Sequence, residues 1–564
     1  MVVLAGLMAW VRPSLGAQWF ERIEALFSRL ANRRTLAIAV IGITALALRA
    51  ALLPIEPIPR PALNDEFSYL LMADTFAHGR LTNPTHPMWQ HLEAIFVIHR
   101  PTYCSMYYPA QGMLMAIGTK IAGNAFWGVW ISSGLMCAAI CWSLQAWVAP
   151  VWALTGGLLA MIRIAAFSYW DNSYLGGAVT ALGGALVLGA LPRLKRRRRM
   201  IDAFLMGIGF ALLISSRPYE TFFFAIPAFG SLLMWTIRRQ RLSDPSLLRN
   251  TIVPLVVLLL ATTSFMMYYC WRTTGNPLQP PYLVNLRTYA VDPNFAWLPL
   301  RRVPEYHNAD IRARWLGWDI DQYNMVRTHP MLSFLTKGLI LWCFYLGPLL
   351  TLPFFALFFA LPYRASWNDV GRQTKYLIYV CSAVMLGIVL AVPMEPHYFA
   401  PALAAVYGLV VIAMRRVRQW ANAGVFLVRA VPTIAVALLV LRVVGLIFHF
   451  PIENSYALTW ESRLGTFART QVEDQLKSTP GKHLVIVHYE QNHNPEQSWV
   501  SNDADINASR IVWAHDMGFE RNKELTRFFD DRRVWLAYPD ENPVRLLPYE
   551  RGSAPSPEGT ETAN

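Results

Sequence analysis

Eleven apolar stretches, each 16–24 residues long, constrain this chain more than any other feature. They run over 35–53, 124–147, 150–167, 173–191, 201–216, 219–237, 251–271, 339–361, 375–392, 397–414 and 425–447. A helix that crosses a bilayer needs roughly 20 predominantly apolar residues, and it must satisfy its own backbone hydrogen bonds. The pattern predicts a polytopic α-helical membrane protein with about 11 transmembrane helices. Charged residues make up 15% of the chain and hydrophobic ones 54%, where soluble domains carry about 25% charge. A single soluble globule, a disordered chain and a fibrous repeat are excluded, and six cysteines in 564 residues exclude a disulfide scaffold. The bilayer is the expected partner, with no nucleic acid.

Basic clusters order the spans. Arg193–Arg199, then Arg238, Arg239 and Arg241, then Arg364 and Arg372, then Arg415, Arg416 and Arg418 all fall on the cytoplasmic side if the N-terminus is cytoplasmic and eleven spans follow. The apolar stretch 110–122 would break that alternation as a span and is read as a surface or re-entrant helix. Residues 17–32 have the spacing of an amphipathic surface helix.

The tail has a different composition. Residues 450–564 hold 18 of the 36 acids and 12 of the 50 basic residues, a net of −6 against +20 in residues 1–449. The expected organisation is a cytoplasmic N-terminus (1–34), a transmembrane domain (35–449) with outer loops 54–123 and 275–330, a soluble extracytoplasmic α/β domain (450–550) and a disordered tail (551–564). Within the α/β domain, 483–489 and 534–538 read as buried strands and 516–530 as a helix.

Thirteen of the 18 acids before residue 450 fall in outer loops or at outer helix ends. Acids contribute little to topology, so their bias points to an outward-facing polar site. Asp65 and Glu66 lie just beyond the first span, where two carboxylates could bind a divalent cation or supply a general base. A helix cap explains one of them well and two less well. Asp171 sits among aromatics suited to stacking on a sugar, or caps the next span. Arg217, in Arg217-Pro-Tyr-Glu220, suits a phosphate, or pairs with Glu220 in a tight turn. Glu395 and His397 meet at the junction of spans nine and ten and could orient a phosphate or an acceptor. Arg100, Tyr107 and Tyr108 close the first loop.

The order of these features resembles the GT-C superfamily of membrane glycosyltransferases, in particular the family 39 branch of protein O-mannosyltransferases and the lipid A aminoarabinose transferase. It rests on Asp65-Glu66, on Tyr107-Tyr-Pro-Ala-Gln-Gly112, on Asp171 and Arg217-Pro, on the loop 275–330, and on His397-Tyr. The resemblance implies a polyprenyl-phosphate sugar donor taken from the outer leaflet and an inverting single displacement, in which Arg217, Arg100 or Lys337 could stabilise the leaving phosphate. It also implies that an acid of the first outer loop serves as base or metal ligand: Asp65 first and Glu66 second, with Mg or Mn as the possible ion. It places the enzyme in the plasma (inner) membrane with its site and C-terminal domain extracytoplasmic. The acceptor stays open among lipid, glycan and protein, because residues 450–550 match no acceptor-binding domain. A transporter or flippase of lipid-linked sugars is the main rival, and a structural scaffold a third reading. The rival would place its ionisable groups near the midplane.

Overall fold

The computed structural model describes residues 2–238, 245–360, 367–450 and 468–550. Among them, eight helices are long and apolar enough to cross a membrane: Arg34–Leu52, Phe126–Leu144, Ala178–Arg197, Pro218–Arg238, Pro245–Thr274, Arg372–Leu390, Pro396–Val417 and Asn422–Ile447. Two shorter apolar helices, Pro150–Ile164 and Met200–Ile214, pack among them. The chain is a multi-pass membrane protein, and each of the eleven stretches read as spans overlaps one of these helices or a bent pair.

That pair corrects one expected span. Residues 339–361 do not form a straight crossing; Pro330–Tyr345 and Gly347–Phe358 meet at 102°. Gly347 takes a left-handed φ of 58°, which a glycine adopts without steric cost. Arg163 donates to the helix-end carbonyls of Cys343 and Phe344, so the first helix of the pair ends on a guanidinium.

Around this body, Ala17–Asn32 forms the expected amphipathic helix. Its Glu24 is gripped by Arg418 and Arg429 through four hydrogen bonds of 2.9–3.0 Å. The stretch 110–122 lies in the helix Pro109–Ala122, packed on helices Asn64–Ala77 and Phe126–Leu144. The first loop adds the short hairpin β1 (Val97–Ile98) and β2 (Cys104–Ser105).

The C-terminal part is a four-stranded sheet in the order β4-β3-β5-β6. Strands β3 (His483–Val487) and β5 (Arg533–Tyr538) are the two that hydropathy anticipates, and helix Phe519–Phe528 lies within 516–530. Strands β4 (Ile511–His515) and β6 (Arg545–Pro548) were not anticipated. β3 runs parallel to both neighbours, and β6 is antiparallel to β5. Alternation along β3 sends Val485 and Val487 toward helix Ala468–Ser478, and Leu484 and Ile486 toward Leu71, Leu92, Ala94 and Val97 of the first loop. The sheet therefore shares a core with a segment some 400 residues earlier. The tail 551–564 lies outside the described residues, as do residues 451–467, which border the expected boundary at 450.

Candidate active site

A cavity of about 410 Å³ opens where the first loop, the loop 275–330, two helix junctions and the C-terminal part meet. It draws Asp65, Tyr107 and Tyr108 from the first loop, Arg217 and Glu220 from one junction, and Glu395 and His397 from the other. These seven sequence candidates converge, although 330 residues separate the first from the last.

The first turn of helix Asn64–Ala77 separates its two acids. Successive helical side chains point about 100° apart. Glu66 turns inward and takes three backbone N–H groups: Ala62 (2.9 Å) and Leu63 (3.2 Å) on Oε2, and Tyr174 (3.1 Å) on Oε1. It is the acidic half of a capping box, because Leu63 at the N-cap has no side-chain acceptor. Burial pushes its carboxyl up to about 7 against the pull of those N–H groups. Asp65 faces the cavity, where the Tyr107 hydroxyl donates to its Oδ1. Burial raises its carboxyl above the usual carboxylate range, opposed by that hydrogen bond and by Arg314 and Arg217.

Tyr107 is held in place from two sides. Its ring stacks on Tyr69 at 4.4 Å, and its backbone N–H donates to Ser105 Oγ at 3.1 Å. Behind it, helix Pro109–Ala122 approaches helix Asn64–Ala77 at Gly112, where any Cβ would collide with Met72. The glycine after the Tyr-Tyr-Pro run thus sets how near Tyr107 stands to Asp65.

Arg217 ends the turn before helix Pro218–Arg238. Its guanidinium donates to His397 Nε2 and lies 4.3 Å from the Tyr398 ring centre. Accepting there leaves the proton of a neutral imidazole on Nδ1, which donates to the Tyr169 hydroxyl at 2.8 Å. The His397 backbone N–H donates to the same hydroxyl at 3.1 Å. His397 therefore acts as a fixed acceptor that aims Arg217.

Four sequence candidates lie elsewhere. Glu66 is committed to backbone N–H groups, as above. Arg100 is exposed and stacks 4.6 Å over Trp89. Asp171 is 1% exposed and faces the interior near Arg49, with its carboxyl pushed up to about 7 by burial. Lys337 lies behind the wall, donating to the Ile388 (3.0 Å) and Ala391 carbonyls that end helix Arg372–Leu390. The corrections share a cause: residue type was readable from sequence, but side-chain direction was not.

A second charged centre was missed. Arg314 of helix Ala309–Leu316 lies among Phe96, Trp315 and Trp318 and makes ion pairs of 2.6 Å with both Asp319 and Glu496. Burial lifts Glu496 to about 7 and also raises Asp319, in both cases against the pull of Arg314. Asp292 also lines the wall and is lifted to about 6 by burial. The run Arg314-Trp-Leu-Gly-Trp-Asp319 is a polar pair framed by tryptophans, a signal that loop 275–330 did hold. Glu496 carried none, being a turn residue more than 400 positions from Asp65.

Among the described residues no group of three His, Cys, Asp or Glu side chains could hold a metal ion. Asp65 and Glu66 do not fit the divalent-cation pair expected of them, since one carboxylate is bonded by a phenol and the other by three backbone N–H groups.

No protein-family model matches the chain, and no curated protein matches it in sequence. Solved structures do. ArnT from Cupriavidus metallidurans bound to undecaprenyl phosphate is similar over 91% of this chain and 92% of its own, at 12% identity and a TM-score of 0.49. The Archaeoglobus fulgidus oligosaccharyltransferase in complex with zinc and sulfate is similar over 89% of this chain and 67% of its own, at 12% identity and a TM-score of 0.42. The oligosaccharyltransferase AglB of that organism, with an inhibitory peptide and a dolichol-phosphate, covers 89% and 69% at 11% identity and a TM-score of 0.37. These are likenesses of overall arrangement; the chemistry rests on the cavity itself.

Proposed function

We propose that the chain is a membrane glycosyltransferase that moves a sugar, with inversion, from a polyprenyl-phosphate donor to an acceptor hydroxyl. The reaction takes place at the extracytoplasmic face of the plasma (inner) membrane. The observation that carries this reading is the placement of Asp65, Arg217 and Arg314 in one cavity at the ends of membrane helices. Transfer to a hydroxyl needs a base for the hydroxyl proton and positive charge where the phosphate leaves.

Asp65 is the base. Its Oδ1 is occupied by Tyr107, and its other oxygen takes the proton from the acceptor hydroxyl. The acceptor oxygen attacks the anomeric carbon, the bond from that carbon to the phosphate oxygen breaks, and polyprenyl phosphate leaves with the electron pair. Arg217 is assigned to that phosphate. Arg314 is already answered by Asp319 and Glu496, whereas the contacts of Arg217 are the neutral His397 and Tyr398. Rings of Tyr282, Trp315 and Trp318 supply apolar faces for a sugar. Undecaprenyl phosphate and dolichol-phosphate, bound in two of the similar structures, are of the same class as the leaving group proposed here. The C-terminal part, which brings Glu496 to the wall, bears on acceptor choice, whether lipid, glycan or protein.

A flippase would move the donor intact. Incubating purified protein with a labelled polyprenyl-phosphate sugar separates the readings: released polyprenyl phosphate and a glycosylated acceptor support transfer, and an unbroken donor overturns it. Reporter fusions test the orientation, with residue 500 expected outside and residues 193–199 inside.

A further inference from the structure

The same helices enclose a second cavity, of about 310 Å³, whose lining includes Arg34, Arg193, Arg196, Arg197, Arg415 and Trp147. Three helices join the two cavities. Ala178–Arg197 runs from just after Leu175 to Arg197, Arg372–Leu390 from Gln373 to Ile388, and Pro396–Val417 from His397 to Arg415. A 19-residue helix is about 28 Å long, close to the thickness of a bilayer's hydrocarbon core. The second cavity thus lies at the height of the opposite headgroup layer, which the positive-inside pattern makes the cytoplasmic one.

Cytoplasmic arginines ordinarily splay into water and serve topology alone. These form a concave site. Arg193 donates to the carbonyls of Gly189 and Trp142, both at 2.7 Å, and lies 4.0 Å over the Trp142 ring. Arg196 donates to the carbonyls of Ala146 (2.7 Å) and Pro192 (3.1 Å). Both guanidiniums are thus tethered beside three others of like charge. No carboxylate lines the cavity, and none of the five closes an ion pair among the described residues. Asp202, on the adjoining helix Met200–Ile214, is the carboxylate whose field reaches Arg193 and Arg197. Arg418 and Arg429, by contrast, are neutralised by Glu24.

Helices Arg34–Leu52, Pro150–Ile164 and Arg372–Leu390 all begin at this rim, and none has a side-chain cap at its N-cap residue. Helices Phe126–Leu144, Ala178–Arg197 and Leu403–Val417 end at the same rim, so the helix dipoles offset one another and the positive potential is that of the five guanidiniums. Trp147, stacked on Tyr376 at 5.3 Å and 7°, gives one wall a rigid apolar face at the level where acyl chains meet headgroups.

We propose that this cavity binds a phosphate group, the headgroup phosphate of an anionic lipid in the leaflet it faces. Basic pockets between membrane helices on the cytoplasmic side suit such headgroups.

The test uses full-length protein in phosphatidylcholine nanodiscs with or without phosphatidylglycerol, with retained lipid read by native mass spectrometry. Replacing Arg34, Arg197 and Arg415 together by Gln removes charge without touching the tethered Arg193 and Arg196. It is expected to cut phosphatidylglycerol retention on the order of 100-fold, at about 1 kcal/mol per basic residue. Replacing Arg12, Arg22 and Arg29 by Gln removes the same charge from exposed positions outside the cavity, and the loss of retention is expected to be clearly smaller than that of the cavity variant. Equal losses in the two triple variants overturn the proposal. The single variant Arg197→Gln reads the same direction if the triple variant folds poorly. Inorganic phosphate added to the wild-type protein distinguishes the sources: lipid retained at millimolar phosphate supports the headgroup, and displacement overturns it in favour of a free anion.

Discussion

The two ends of the helical body handle charge in opposite ways. At the large cavity, six carboxylates (Asp65, Glu220, Asp292, Asp319, Glu395 and Glu496) face two guanidiniums, Arg217 and Arg314. There the charged groups have individual partners: Tyr107 for Asp65, His397 for Arg217, Asp319 and Glu496 for Arg314. At the basic rim, five arginines share one sign and no carboxylate among the described residues lines the cavity. The difference teaches how each end works. Partnered groups in a buried site act one at a time, and losing one leaves another unsatisfied. Like charges at a wet rim act as a sum, in which each member counts for little.

The sharpest way to break this comparison is at Asp65. Asp65→Asn keeps the size of the side chain and an acceptor for the Tyr107 hydroxyl but removes the proposed base. Turnover is expected to fall by roughly 10²–10⁴ at saturating donor. Its neighbour supplies the contrast. In Glu66→Gln one carboxylate oxygen becomes an NH₂ that meets a backbone N–H, so thermal unfolding should report a loss of about 1–3 kcal/mol, with turnover per folded molecule retained. Equal catalytic losses in the two variants would mean that the helix turn, not the carboxylate, matters.

Next in size is Glu496→Gln. It removes one of the two carboxylates that hold Arg314, and KM is expected to rise about tenfold, or about 1.4 kcal/mol, with a smaller change in kcat. An unchanged KM would detach the C-terminal part from the cavity's work. Smaller again is the effect of Tyr107→Phe on pH dependence. As the proposed base Asp65 would work deprotonated, and its pKa is raised by burial, so kcat/KM should fall as the pH drops through that raised value. The Tyr107 hydrogen bond favours the charged form. Its loss raises the pKa further, and the acid limb of kcat/KM should move to higher pH. A limb that stays in place would remove Asp65 from the titration. At the far end, a single Arg415→Gln should leave turnover unchanged and weaken phosphatidylglycerol retention by no more than about fivefold.

How much of this was legible follows from what each signal encodes. Hydrophobic length is a property of composition along the chain, so the membrane helices were readable; the bend at Gly347 was not, because it depends on Arg163 reaching across to two carbonyls. Asp65, Arg217 and His397 were readable because polar residues at the ends of apolar helices are costly and conspicuous. Glu66, Arg100, Asp171 and Lys337 are equally conspicuous, yet their side chains turn to backbone N–H groups, a half-buried indole, the interior and two helix-end carbonyls. Strand β4 is a fully buried parallel strand of five residues, and such short apolar runs do not distinguish strand from helix. Glu496 is placed by the docking of the sheet on the first loop, which no local pattern records.

That docking has a consequence in time. Asn64 Nδ2 donates to the Pro495 carbonyl 431 positions later, and at ~5–20 residues per second roughly 20–90 s of synthesis separate the two. Throughout that interval the first loop holds Leu71, Leu92, Ala94 and Val97 without the strands that cover them. The wall at Glu496 closes only when nearly the whole chain has left the ribosome. A chain truncated before β3 therefore carries Asp65 into the membrane yet lacks an assembled site, and the exposed apolar face of its first loop marks it as unfinished.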